Sequence, residues 1–263
     1  MANGKAPRLA FGVAAFLIYA FMYVPIAVLV VFSFQESRVL SWPIEAWSLR
    51  WYAALFENRQ LLEALANSLQ VATACVIVTS LVGVPLALAL RRFDYRFAAL
   101  LERTILMPLI VPPLITGLAI LLILNRAGIQ LSLATIILGQ SVVWMPIVVT
   151  QVYARLRRLD KELEHASMDL GANRLQTFIH VTLPSIRTSV VGSALLVFTL
   201  SFDELPVTFF LTGSENTLPM FIWSMLRIGI TPEINAIASL TVLVSVLLIL
   251  AGIRLLIKKD KVE

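Results

Sequence analysis

Residues 201–210 read SFDELPVTFF, two adjacent carboxylates and a proline inside an otherwise apolar stretch. Carboxylates in hydrocarbon cost at least a few kcal/mol unless they face water, a partner charge or a passing ion. Pro206 removes one backbone donor beside them and opens carbonyls. An acid-lined cavity with opened carbonyls suits a cationic amine. Neighbouring helical residues diverge by about 100°, so one of Asp203 and Glu204 is expected to face such a path, Asp203 first. Trp144 and Met145, in SVVWMPIVV beside Pro146, could give an amine an aromatic wall through cation–π contact; packing of a kinked core helix accounts for them more simply. Two other placements of the acids stay open. The helix could end near residue 202 with both acids at the external interface, or one acid could pair with Arg227 or with an arginine of another chain.

Other reactive residue types do not assemble. His165 and His180 have no cysteine or acidic pair at metal spacing. Cys75 is the single cysteine and can form no internal disulfide. No Ser/His/Asp grouping appears, and MPLIVPPLITG, 107–117, offers either a proline-softened gate or prolines of the kind common in membrane helices.

The elements that must position these residues follow from composition. The chain has 263 residues, 59% hydrophobic and 14% charged, with mean hydropathy +0.88; soluble domains are about 25% charged. This predicts an all-α membrane protein. A span needs roughly 20 apolar residues, and six are predicted: 11–34, 66–90, 104–125, 133–154, 187–209 and 235–257. Sixteen of the 21 basic residues fall on one set of loops and five on the other. That asymmetry places both termini and the 155–186 loop in the cytoplasm and makes the +5 charge an orientation signal, not a nucleic-acid surface. On the outside, Trp42, Trp47, Trp51 and Tyr52 suit a segment lying at the lipid interface.

Within the inside loop, DKELEHASMDLGANRLQTFIHVTLP predicts a short helix over about 160–170, a break at Gly171, and a second helix ending before Pro184. Gly171 can take the positive φ that ends a helix. Leu175, Phe178, Ile179 and Leu183 recur at helical spacing as one apolar stripe. Two helices where a few polar residues would connect the spans suggest a surface for a soluble partner.

This loop resembles the signature of the inner-membrane permease subunits of bacterial ABC importers: Glu-Ala-Ala, three residues, Gly, nine residues, then Ile-x-Leu-Pro. The spacing here is His165-Ala166-Ser167, Gly171, and Val181-Thr182-Leu183-Pro184. His165 stands where the family has Glu, Ser167 replaces the second Ala, and Glu164 lies one residue upstream. Residues 201–240, with YVPIAVLVVFSF and WYAALFEN, resemble the second permease of spermidine and putrescine systems.

The resemblance implies a type I ABC importer transmembrane-domain fold across 1–263, sited in the bacterial inner membrane. It also implies that Glu164, His165, Ala166, Ser167, Asp169, Gly171, Ala172, Leu183 and Pro184 couple the chain to an ATPase. The implied partners are two ATP-binding subunits, a second and different permease, a periplasmic solute-binding protein and membrane lipid. Gly4-Lys5 is the one Gly-Lys pair and no P-loop occurs, so ATP and Mg belong to the partner ATPase, and this chain is expected to be non-catalytic and cofactor-free. The expected cargo is a polyamine; the alternatives are an opine or amino-acid derivative, or an ion-coupled secondary transporter, although no internal repeat supports the last.

Overall fold

The computed structural model describes residues 5–92, 95–160, 162–243 and 246. Among these the chain is helical, apart from one isolated bridge between Gln35 and Trp47. Gln60–Phe221 forms one compact unit, and the described residues before and after it in sequence form another.

In the flanking unit, α1 (Lys5–Phe32) leaves its apolar surface open, with Phe21 83% exposed. A loop then folds onto α2 (Arg50–Glu57). The Trp51 indole donates to the Gln35 carbonyl at 2.7 Å, and the Ser33 and Tyr52 hydroxyls lie 2.6 Å apart. Only Trp42 and Trp47 of the four aromatics expected at an interface remain largely exposed, since Trp51 is buried.

The larger unit is built on long helices. α3 (Arg59–Arg92) is about 51 Å long at 1.5 Å per residue, well beyond a hydrocarbon layer of about 30 Å, and overshoots the expected 66–90 at both ends. α4 (Tyr95–Ile110) and α5 (Pro113–Arg126) replace the expected straight span 104–125: they meet at 100°. Pro112 and Pro113 cause the break. Neither carries an N–H, so two of the donors that a new helix start leaves unpaired do not exist. The Pro112 carbonyl accepts from Ile115 and Thr116 at 2.9 and 3.2 Å.

α6 (Leu133–Arg157) continues unbroken through Pro146. α7 (Glu162–Asp169) ends at Gly171, whose φ of +91° is the left-handed backbone that glycine adopts without strain. Asn173 then caps α8 (Arg174–Thr177).

The second loop helix does not stop before Pro184. It passes through a π-helical turn, Phe178–Thr182, into α9 (Leu183–Phe202). A proline ring collides with the carbonyl four residues back. The widened turn avoids this by bonding the Leu183 N–H to the Phe178 carbonyl, and the helix runs unbroken from Arg174 to Phe202.

The expected span 187–209 breaks after Phe202, and the chain resumes as α10 (Pro206–Leu211). α11 (Leu218–Ile228) and a helix over 232–243 follow; most of the expected span 235–257 lies outside the described residues. Among the described residues four helices are long and apolar enough to cross a membrane, or five if the bent pair is one span.

Two apolar clusters are stacked along the larger unit. One joins α3, α6 and α9 through Ala87, Val148, Val152 and Ile186; the other joins α6 and α10 through Ile136, Val207 and Leu211. Small residues permit the close approaches that drive association in lipid. At Gly117 a Cβ would lie 3.0 Å from the Val207 Cα, a backbone atom that cannot yield. Gly117→Val is therefore expected to destabilise the protein by about 1–3 kcal/mol, seen as a lower melting temperature in detergent. Gly12→Val meets nothing within 4 Å and should change stability by less than about 0.5 kcal/mol.

Candidate functional site

Two polar assemblies stand out in the larger unit. The first fills the break between α9 and α10. Glu204 is 4% exposed and its carboxylate accepts three hydrogen bonds, from the Val207 N–H at 2.7 Å, the Thr208 N–H at 2.9 Å and the Thr208 hydroxyl at 2.8 Å. The Phe209 N–H bonds the Leu205 carbonyl at 2.8 Å, and Pro206 has no N–H, so every donor in the first turn of α10 is accounted for. Gln140 Nε2 donates to the Thr208 hydroxyl at 2.9 Å, and Ser201 donates to Gln140 Oε1. At the far end of α10, the Thr135 hydroxyl donates to the Leu211 carbonyl at 2.9 Å.

Asp203, next to Glu204 in sequence, is exposed and has no side-chain partner among the described residues. The two neighbouring acids thus have different surroundings: Glu204 caps α10, and Asp203 is exposed. Trp144 takes part in the packing of the larger unit. It is half-buried and packs against both apolar clusters, with its indole N–H buried and unpartnered.

The second assembly lies between the end of α3 and the 155–186 loop. Arg91 Nη1 is 2.9 Å from Glu164 Oε1, Arg91 Nη2 donates to the Leu159 carbonyl at 3.2 Å, and the Thr182 hydroxyl donates to Glu164 Oε1 at 2.8 Å. Glu164 therefore points into the bundle and away from the outer face of α7. Ser167 also turns inward, its hydroxyl 3.2 Å from that of Thr177.

His165, Ala166, Asp169 and Gly171 are exposed, and Ala172 is half-buried in the turn. Leu183 is 36% exposed, and Pro184 is exposed within the continuous helix. His165, Met168, Pro85, Leu88, Arg92 and Arg174 are among the residues lining a cleft of about 880 Å³. The loop also presents bare apolar side chains: Leu170 is 90% exposed, Leu175 66% and Ile179 46%.

Sequence reasoning did not find Arg91, Thr182, Gln140 or Thr208. Arg91 entered only as one of the basic residues that orient the chain. Its place in the last turn of α3, one helical face from a loop acid, becomes informative only when the loop is folded back. Among the described residues no group of His, Cys, Asp or Glu gathers as a metal site.

The comparisons agree with this architecture. Residues 79–256 match the family model for the binding-protein-dependent transport system inner membrane component. The chain is 32% identical over 248 residues to the spermidine/putrescine transport system permease protein PotC of Escherichia coli, covering 94% of this chain and 92% of that one. It is 35% identical over 231 residues to the putrescine transport system permease protein PotI of the same organism, covering 84% and 82%. In fold it is similar to a chain in the crystal structure of a bacterial ABC transporter that imports the acidic polysaccharide alginate, with a TM-score of 0.68, 15% identity, and 97% and 98% coverage. The chain belongs to the binding-protein-dependent transport system inner membrane component family, the multi-pass, non-catalytic permease subunits of ABC importers.

Proposed function

We propose that this permease forms half of the membrane pathway of an ATP-driven importer for polyamines of the putrescine and spermidine class, working by alternating access. Two ATP-binding subunits, a second and different permease chain, and a periplasmic solute-binding protein complete the assembly. ATP and Mg are held by the ATPase subunits, and this chain carries no cofactor. Both termini and the 155–186 loop lie on the cytoplasmic side, following the distribution of basic residues. The exposed face of that loop, His165, Ala166, Asp169, Gly171 and Leu170 at its tip, docks on the ATPase.

One observation carries the reading of the path. Of the two acids at the break after α9, Glu204 is consumed by the backbone of α10, while Asp203 is exposed and available to a cation. The names of the relatives PotC and PotI support the substrate class. Trp144 packs against both apolar clusters, its buried indole N–H without a protein acceptor, and in this proposal it lines the path.

The test is uptake of labelled putrescine and spermidine into proteoliposomes holding the whole complex with ATP inside. Saturable, ATP-dependent uptake is expected. Asp203→Asn should lower it by about tenfold, the value of one charge-assisted contact, with the melting temperature unchanged. ATP hydrolysis that responds to the binding protein without amine uptake would move the cargo to another solute. Glu204→Ala is expected to act on stability instead, costing about 1–3 kcal/mol because the Val207 and Thr208 N–H groups lose their acceptor; a melting temperature equal to the parent's would refute the capping role. Leu170→Asp should abolish co-purification of the ATPase subunits and leave the permease's own melting temperature unchanged, because the side chain is 90% exposed.

A further inference from the structure

We infer that Arg91 is the positioning residue that fastens α7 to the membrane bundle, so that movement of the docked ATPase reaches α3 and α9 through one ion pair. The inference rests on reading the 155–186 loop as the docking segment. α7 has eight residues and buries none of them. A helix without buried side chains lacks the interdigitated packing that transmits strain through a protein interior, so its register against the bundle must come from polar ties.

Among the described residues those ties converge on Glu164. Its Oε1 atom receives both Arg91 Nη1 at 2.9 Å and the Thr182 hydroxyl at 2.8 Å. Arg91 reaches on to the Leu159 carbonyl at 3.2 Å. Four elements meet at this carboxylate and guanidinium: the end of α3, the connection leaving α6, α7 itself and the π-helical turn.

The geometry suits transmission more than docking. The Arg91 and Glu164 side chains are only 9% and 26% exposed, so the pair is less screened than an open surface pair. A guanidinium holds two acceptors in a fixed fork, whereas an ammonium is a point charge on a flexible stem. Thr182 ends the π-helical turn and leads directly into α9, the helix whose far end is the break beside Asp203. A displacement of α7 therefore pulls at once on α3 and on the foot of α9. The hydroxyl contact between Ser167 and Thr177 is a neutral second tie and weaker than the charged one.

The experiment uses the full complex with ATPase and binding protein in proteoliposomes, reading amine uptake, ATP turnover and subunit retention together. Arg91→Gln and Glu164→Gln should each retain the ATPase subunits yet lose about tenfold in uptake per ATP hydrolysed, a coupling of the size found between contacting charged groups. The double variant R91Q/E164Q should be no worse than either single one, and the charge reversal R91E/E164R should recover most of the loss. Arg91→Lys should recover only part, since one ammonium cannot reproduce the fork to Glu164 and Leu159. Full uptake per ATP in the single variants overturns the inference, as does a reversal no better than they are. Loss of the ATPase subunits in the single variants overturns it too, by making the pair part of the docking face. Retention of the ATPase by Leu170→Asp is a separate result that removes the docking reading itself.

Discussion

In hydrocarbon every backbone N–H and carbonyl needs a partner within the protein, because no water is there to supply one. A helix break within a membrane is possible only where the ends it creates are satisfied, and this chain interrupts its helices by two different means. Between α4 and α5 the donors are deleted, with Pro112 and Pro113 standing where two N–H groups would be left over. Between α9 and α10 the donors are kept and a carboxylate is brought to them: Glu204 takes the Val207 and Thr208 N–H groups, and Thr135 closes the other end of α10. A six-residue helix is far too short to be stable by itself. α10 persists because both its ends are tied to side chains and its buried face, Val207 and Leu211, packs in an apolar cluster.

The two breaks are related in space. The half-helices that follow them, α5 and α10, pack on each other where Gly117 meets the Val207 backbone, and both contribute to the cluster around Ile136 and Val143. The segments before the breaks, α4 and α9, contribute instead to the cluster around Val148 and Ile186. The unit thus changes helix direction where one core gives way to the other, and Trp144, touching both clusters, sits at that junction. Tight glycine contacts on one side and a redirected backbone on the other join the two cores.

What could be read in the sequence divides along the same physical line. Apolar run length and the placement of arginines and lysines are properties of the residues themselves, so the helical membrane class was legible. Gly171 was legible for a similar reason, since positive φ is a local demand. The breaks in 104–125 and 187–209 were legible only as alternatives, a helix end near residue 202 and a proline-softened stretch at 107–117, because a proline in a membrane helix can be absorbed as easily as it can break. Pro146 is carried within an unbroken helix, Pro184 is carried behind a π-helical turn, and Pro112–Pro113 and Pro206 stand where new helices start. The inward turn of Glu164 was not legible, because it depends on Arg91, 73 residues away. Periodicity within a short helix says which residues share a face, and only tertiary structure says which face is covered.

The same accounting separates the two acids at the α9–α10 break. A buried carboxylate has a limited number of acceptor sites, and three of those on Glu204 are already filled by donors that would be orphaned if it let go. For such a group, engaging a passing cation means either sharing its bonds or exposing two N–H groups to hydrocarbon, each a loss of the order of 1–3 kcal/mol. Asp203 faces no such competition. An ionisable side chain in a membrane protein that structure has already claimed is poorly placed to serve transport, and the group left without a structural duty is where a mobile charge gains most. By that criterion Arg91 and Glu164 belong with Glu204 among the claimed groups, and Asp203 stands apart from all three.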